Sequence, residues 1–328
     1  MEMGSTVRTG PGGKATAEQA TAPGHGPQAR RNAILLLHLT VFIWGWTGIL
    51  GKWIDQSALH IVYIRCAVAC AGLFAVALWM RRSLSPRTPD LGRYLLTGLI
   101  ILAHWITFYL SIKVGSASVA VACLSTGAFF TALITPYWTK ERVSRFELAL
   151  GAVVIAALLL IFGLETRYRD GILLGTLSAL LSAWFNVVNG RLVQRGDAVR
   201  IGFYELLTAG VVLGLWLVVQ RDLPPPLWAM PAADIAGHLV LGLICTTFAF
   251  TAGIHVLKQL TPFTVILTVN LEPVYTILIA LLLWPESERM HPGSYLGIGL
   301  ILACISVNGW RQRQLQAKVV KPQSLAHG

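Results

Sequence analysis

An acid and a helix breaker, Glu272 and Pro273, stand side by side in an almost pure hydrocarbon stretch, "LTVNLEPVYTILIALLLW" (267–284). A charge at the centre of a bilayer costs about 2.5–3.5 kcal/mol on insertion scales, so an ionisable group here needs a use. Thr264, Thr268, Glu272 and Thr276 recur at every fourth position and share one helix face. Pro273 cannot donate to the carbonyl of Val269, which leaves a free acceptor one turn from the carboxyl. A polar stripe, a free carbonyl and an acid together suit a helix that lines a wet cavity. Glu272 is therefore expected to bind a substrate amine or to carry a coupling proton, with Pro273 as a gating or structural element. The plainer alternative is a hydrogen-bonded packing residue.

Arg65 in "VYIRCAVACAGLFAVALW" has only Ile61, Val62, Val68 and Ala69 one turn away on its own helix. Its charge needs relief from another helix, from snorkelling, or from a ligand carboxylate or phosphate. His104 shares a face with Thr97, Thr107 and Ser111; it either relays protons, since histidine titrates near pH ~6.5, or packs with its nitrogens satisfied. Ser178, Ser182, Asn186 and Asn189 form a second one-sided polar stripe, a cavity wall or interhelical glue. Glu205 reads as an orientation or gate residue within reach of Arg200 or Arg191, and Trp44, Trp46 and Trp105 are candidate cavity aromatics.

The segments that carry these groups are apolar. Hydrophobic residues make up 55% of the 328 and charged residues 12%, with a mean hydropathy of +0.64; soluble domains carry about 25% charged residues. Apolar spans fall near 32–54, 58–80, 91–113, 117–138, 144–164, 172–193, 200–220, 234–257, 262–284 and 294–310. A span of about 20 residues crosses the hydrocarbon, and in lipid its backbone must bond within itself, so the spans are helices. The expected fold is an all-α polytopic membrane protein with ten transmembrane helices.

The net charge of +11 is laid out for a membrane, not for nucleic acid. One set of tails and loops holds most of the 26 Lys and Arg, among them Arg81, Arg82, Arg87, Arg93, Arg191, Arg195 and Arg200. The other side holds only Lys52, Lys113, Arg167, Arg169, Arg221 and Arg289. By the positive-inside rule both termini are cytoplasmic. Residues 1–31 and 311–328 read as unstructured tails. Cys66, Cys70, Cys123, Cys245 and Cys304 all fall inside spans, without CxxC spacing, and read as packing residues. HExxH, GxSxG, GxxxxGK[ST] and GxGxxG are all missing, so the chain is expected to be no enzyme and to need no cofactor or metal.

Five spans and five spans also resemble each other. "WTGILGKWI" (46–54) aligns with "FNVVNGRLV" (185–193), and "AFFTALITPYWTKE" (128–141) with "PVYTILIALLLWPE" (273–286). The second match places Thr131 on Thr276 and Glu141 on Glu286, an offset of 145. An odd number of spans per unit inverts the second, an arrangement typical of carriers with a midplane site.

"LEPVYTILIALLLWPE" with "GSYLGIGLILACISV", and "FFTALITPYWTKERVSRFELALGAVVIAALLLIF" before them, resemble the ends of two EamA repeats of the drug/metabolite transporter superfamily. The resemblance runs through 32–165 and 171–310 and implies an exporter of amino acids or similar small metabolites in the inner (plasma) membrane. Ala128 departs from it by standing where Pro273 stands in the second half, so the first half is expected to lack the helix break. The resulting expectation is alternating access between inverted halves. Protons are a candidate coupling ion, and the lipid bilayer and a small-molecule substrate are the partners. The alternative from another class is a receptor-like scaffold or an intramembrane enzyme using His104 and Glu272.

Overall fold

Residues 27–85, 88–139, 145–164 and 168–324 are described by the computed structural model. They form α1 (Pro27–Trp53), α2 (Ala58–Trp79), α3 (Thr88–Val114), α4 (Ala117–Leu124), α5 (Gly127–Thr139), α6 (Arg145–Leu164), α7 (Arg169–Leu192) and α8 (Ala198–Gln220). α9 (Ala232–Leu239), a π-helical stretch Val240–Phe248 and α10 (Ala249–Val256) follow as one rod. Then come α11 (Pro262–Val269), α12 (Glu272–Leu283), α13 (Pro285–Glu288) and α14 (Pro292–Ser324). There is no strand among the described residues.

Eight of these rods are long and apolar enough to cross a bilayer, and shorter apolar helices lie at Leu148–Ala157 and Pro292–Cys304. The latter two belong to α6 and α14, which pack on each other. Their shared core includes Val154, Ala157, Ile301 and Cys304.

The tails differ from expectation where they are described. α1 begins at Pro27, a residue suited to the first helical turn, where its missing N–H is not needed. α14 continues to Ser324 because Arg311–Val320 is rich in Arg, Gln, Leu, Ala and Lys, which favour helix. Residues 1–26 and 325–328, Lys140, Glu141, Arg142, Arg87 and Arg167 lie outside the described residues.

The expectation that the first half runs unbroken through Ala128 is overturned. α4 ends at Leu124 and α5 starts at Gly127, so both halves break at the same register: Ser125–Thr126 matches Asn270–Leu271. At each break two amides turn back three residues instead of four. Ser125 N bonds the Ala122 carbonyl and Thr126 N that of Cys123; Asn270 N bonds Leu267 and Leu271 N bonds Thr268. Pro273 therefore does not kink a continuous helix. It sits in the first turn of α12, where a helix needs no donor.

The packing reciprocates between halves. α1 packs on α12 as α5 packs on α7, and α4 meets α12 where α5 meets α11. α3 and α7 form the most extensive helix pair. They close tightly at one end, where a Cβ on Gly171 would lie 3.0 Å from the Gly115 Cα, and the Ser111 hydroxyl donates to the Gly171 carbonyl at 2.6 Å.

Candidate functional site

A cavity of about 70 Å3 lies at the centre of the bundle, lined by Arg65, His104, Trp105, Asn186, Glu272 and Trp44, with Thr47, Phe108 and Phe250 among the remaining walls. Since a single water needs about 10–15 Å3 of such space, the cavity admits several waters or a small organic molecule.

Glu272 reaches the cavity because the break at 270–271 puts it in the first turn of α12. Glu272 is 4% exposed, and its carboxyl lies 3.4 Å from Thr47 Oγ1 of α1, whose one proton is shared with the Trp44 carbonyl at 2.7 Å. No other hydrogen bond reaches the carboxyl among the described residues.

Arg65 is buried in α2, yet the relief it needs comes from other helices. Its Nε donates to Thr246 Oγ1 at 2.7 Å, its Nη1 to the Tyr109 hydroxyl at 3.0 Å, and its guanidinium lies 3.8 Å from the Trp105 ring centroid. Cation–π contact of that kind offsets part of the cost of burial. Two of the five guanidinium donors are thus taken, and the remainder suit a carboxylate fork. No ion pair joins Arg65 to Glu272 among the described residues. A base and an acid therefore share one void with the direct contact unmade.

Thr246 owes its place to the π-helical stretch. Its hydroxyl donates to the Leu241 carbonyl, five residues back, at 2.7 Å, and Thr247 does the same to Gly242 at 3.0 Å. The wider turn shifts the helical phase and brings Thr246 under the guanidinium, as π-bulges commonly do at functional sites.

His104 Nδ1 lies 2.9 Å from the Ser178 carbonyl and 2.8 Å from its hydroxyl. A carbonyl only accepts, so Nδ1 carries the proton, and in the neutral ring Nε2 is the acceptor. Asn186 lines the void while its Nδ2 donates to the Ser182 carbonyl at 2.9 Å. Trp44 is fixed by Nε1 donating to the Cys245 carbonyl at 3.2 Å.

Several sequence candidates lie elsewhere. Thr268 donates to the Thr264 carbonyl at 2.9 Å and Thr276 to the Gly45 carbonyl of α1 at 2.7 Å; neither lines the cavity. The turn at 270–271 rotates α12 against α11, so the i+4 stripe is not one face. Asn189 is also off the cavity: its Nδ2 donates to Glu205 Oε2 at 3.3 Å, and both residues are fully buried. Glu205 is thus tied to α7, while Arg200 donates to the Ser83 carbonyl at 2.8 Å. Trp46 is 39% exposed and does not line this cavity. Sequence reasoning missed Thr47, Tyr109, Thr246 and the three phenylalanines Phe108, Phe185 and Phe250, which as single hydroxyls or aromatics in apolar spans carry no pattern.

One end of the bundle is sealed by a residue of the second half. Buried Glu288 of α13 accepts from the backbone N–H of Ser118 at 2.9 Å, from that of Ala117 at 3.3 Å and from the Ser118 hydroxyl at 2.7 Å. Lys52, at the end of α1, closes on the same carboxylate at 2.6 Å. The N-terminus of α4, α1 and the second-half loop are latched together.

Comparison with known proteins agrees with this architecture. No curated protein matches the chain in sequence. A solved structure described as "Crystal structure of protein" superimposes with a TM-score of 0.65 at 15% identity, covering 85% of this chain and 97% of that one. At that identity the likeness speaks for the fold alone. The description of the EamA-like transporter family matches residues 31–163 and again 169–310. Two tandem matches spanning most of the sequence, on a polytopic helical bundle with a central cavity, place the chain in the EamA-like transporter family.

Proposed function

We propose that the protein is a ten-helix secondary carrier in which two inverted five-helix repeats expose the central cavity alternately to the two sides, and that it exports a small zwitterion such as an amino acid. One observation carries this reading: Arg65 and Glu272 line one cavity and make no ion pair with each other. An amino acid would set its carboxylate on the free guanidinium donors and its ammonium near Glu272, with Trp44, Trp105 and Phe250 closing the apolar sides. The site would thereby satisfy two buried charges that otherwise face empty space, which is a strong discrimination against uncharged analogues. The reciprocal packing of α1 on α12 and α5 on α7 supports inverted symmetry. The basic loops support placement in the inner (plasma) membrane with both termini cytoplasmic.

Glu272 is also the candidate proton carrier, exchanging a proton for the substrate ammonium during the cycle. His104 and Glu272 do not form an acid–base pair by hydrogen bond among the described residues, which weighs against the enzyme alternative. The test is flux in proteoliposomes loaded with a mixed amino-acid pool. The wild-type protein is expected to show pH-driven flux and counterflow, Arg65→Gln to lose both, and Glu272→Gln to lose pH-driven flux while keeping counterflow at lowered substrate affinity. No flux of any pool member would remove the substrate class. Unchanged pH-driven flux in Glu272→Gln would remove the coupling role.

A further inference from the structure

A second cavity, of about 600 Å3, opens between α3 and α7 at the arginine-rich end of the bundle. Arg93, Arg191 and Arg195 line it, with Leu96, Val188 and Leu192 as its apolar part. The two helices that close on Gly115 and Gly171 at the opposite end leave room here for a molecule. The neighbouring basic residues are already engaged: Arg82 pairs with Asp197 at 3.2 Å and Arg200 donates to the Ser83 carbonyl. Of the cavity arginines, Arg93 meets Asp90 at 3.3 Å, while the charge of Arg195 is left without a carboxylate among the described residues.

The hollow borders an exposed apolar surface of α3. Leu96 is 50% exposed and Leu99 43%. Arginine forks above an exposed leucine strip combine the two chemistries of a phospholipid: bidentate donors for a phosphate and apolar surface for an acyl chain. Basic pockets between membrane helices hold anionic headgroups by this arrangement.

We propose that this cavity seats the phosphate headgroup of an anionic phospholipid from the leaflet at the arginine-rich end, with its acyl chain along Leu96 and Leu99. The site is separate from the central cavity and does not depend on what the carrier transports.

The test uses the full-length protein in mild detergent, with phosphatidylglycerol, phosphatidylcholine and inorganic phosphate as probes, read by native mass spectrometry and thermal unfolding. One phosphatidylglycerol is expected to be retained in preference to phosphatidylcholine and to raise the melting temperature, and millimolar phosphate is expected not to displace it. Replacing Arg93 and Arg195 by Gln should weaken retention roughly 25-fold, at about fivefold per arginine. Arg82→Gln, at the same end but outside the cavity, should leave it unchanged. If the double variant does not fold, Arg195→Lys keeps the charge without the fork and should weaken retention by itself. Equal retention of the two lipids, displacement by free phosphate, or an equal loss in Arg82→Gln would each overturn the proposal.

Discussion

α4 and α11 are built to the same plan. Each is eight residues long, and each is capped by a hydroxyl, with Ser116 accepting from Val119 N at 3.1 Å and Thr261 from Thr264 N at 3.2 Å. Each stops before a two-residue turn that starts the next helix. The differences are in the chemistry laid on that plan. The N-terminus of α4 is sealed by buried Glu288 and Lys52, whereas the Thr261 cap is exposed. Past the break, the first half has Gly127 and Ala128 where the second has Glu272 and Pro273. Backbone architecture is duplicated and side-chain chemistry is not, so substitutions at paired positions test whether folding the bundle and operating it can be separated.

The largest effect is expected at the sealed end. Glu288→Ala leaves two buried α4 amides and the Ser118 hydroxyl without their acceptor and Lys52 with only Ser287 Oγ, at about 1–3 kcal/mol for each stranded buried group. Thr261→Ala removes one exposed cap and should cost about 1 kcal/mol. Denaturant unfolding in mixed micelles compares them. Equal losses would mean that the two ends are not differently closed.

Next comes the pair Glu272 and Gly127. Glu272→Gln is expected to lower pH-driven flux by at least about 100-fold, near 2.7 kcal/mol in rate terms, with the fold intact. A Cβ on Gly127 would meet Ile266 Cγ2 at 3.4 Å, an ordinary contact, so Gly127→Ala should retain flux. Comparable losses in both would place the effect in the break itself and not in the acid.

The break residues come third. Asn270 Oδ1 and Nδ2 and Ser125 Oγ are buried without a hydrogen-bond partner among the described residues. Stranded polar atoms cost about 1–3 kcal/mol each, so removing them should not destabilise. Asn270 directly follows Val269, a wall of the central cavity, without lining that cavity itself. Asn270→Ala is expected to lower transport about tenfold, or roughly 1.4 kcal/mol, at unchanged stability, and Ser125→Ala to change neither. A stability loss in Asn270→Ala with normal transport would make it a structural residue.

These pairs also show why some of the molecule was legible and some was not. Arg65 and Glu272 stand out in sequence because an ion in an apolar span is expensive, and both line the cavity. Thr246 and Tyr109, which hold Arg65, are ordinary residues whose convergence depends on a π turn and on a neighbouring helix. Thr268 and Thr276 were misplaced because the i+4 rule assumes one continuous helix, and the turn at Asn270–Leu271 resets the phase between them. The break in the first half was invisible for a related reason: the expected marker was a proline, and Ser125–Thr126 breaks without one. Asn189 belonged to a real polar stripe, but its last member turns toward Glu205.

The smallest effect is expected at Pro273. Its ring fixes φ in the first turn of α12 and removes an N–H that the helix does not use. Pro273→Ala therefore loses mainly the restriction on the unfolded chain, and stability should fall by about 1 kcal/mol or less. The break should persist, because Ala128 occupies the matching place in α5 and that break stands. Spin labels on Val265 and Leu282 report the angle between α11 and α12. An unchanged distance in Pro273→Ala assigns the break to the packing of α4 on α12 and α5 on α11. A longer distance, as the two pieces straighten into one rod, would return it to the proline and leave the two halves broken for different reasons.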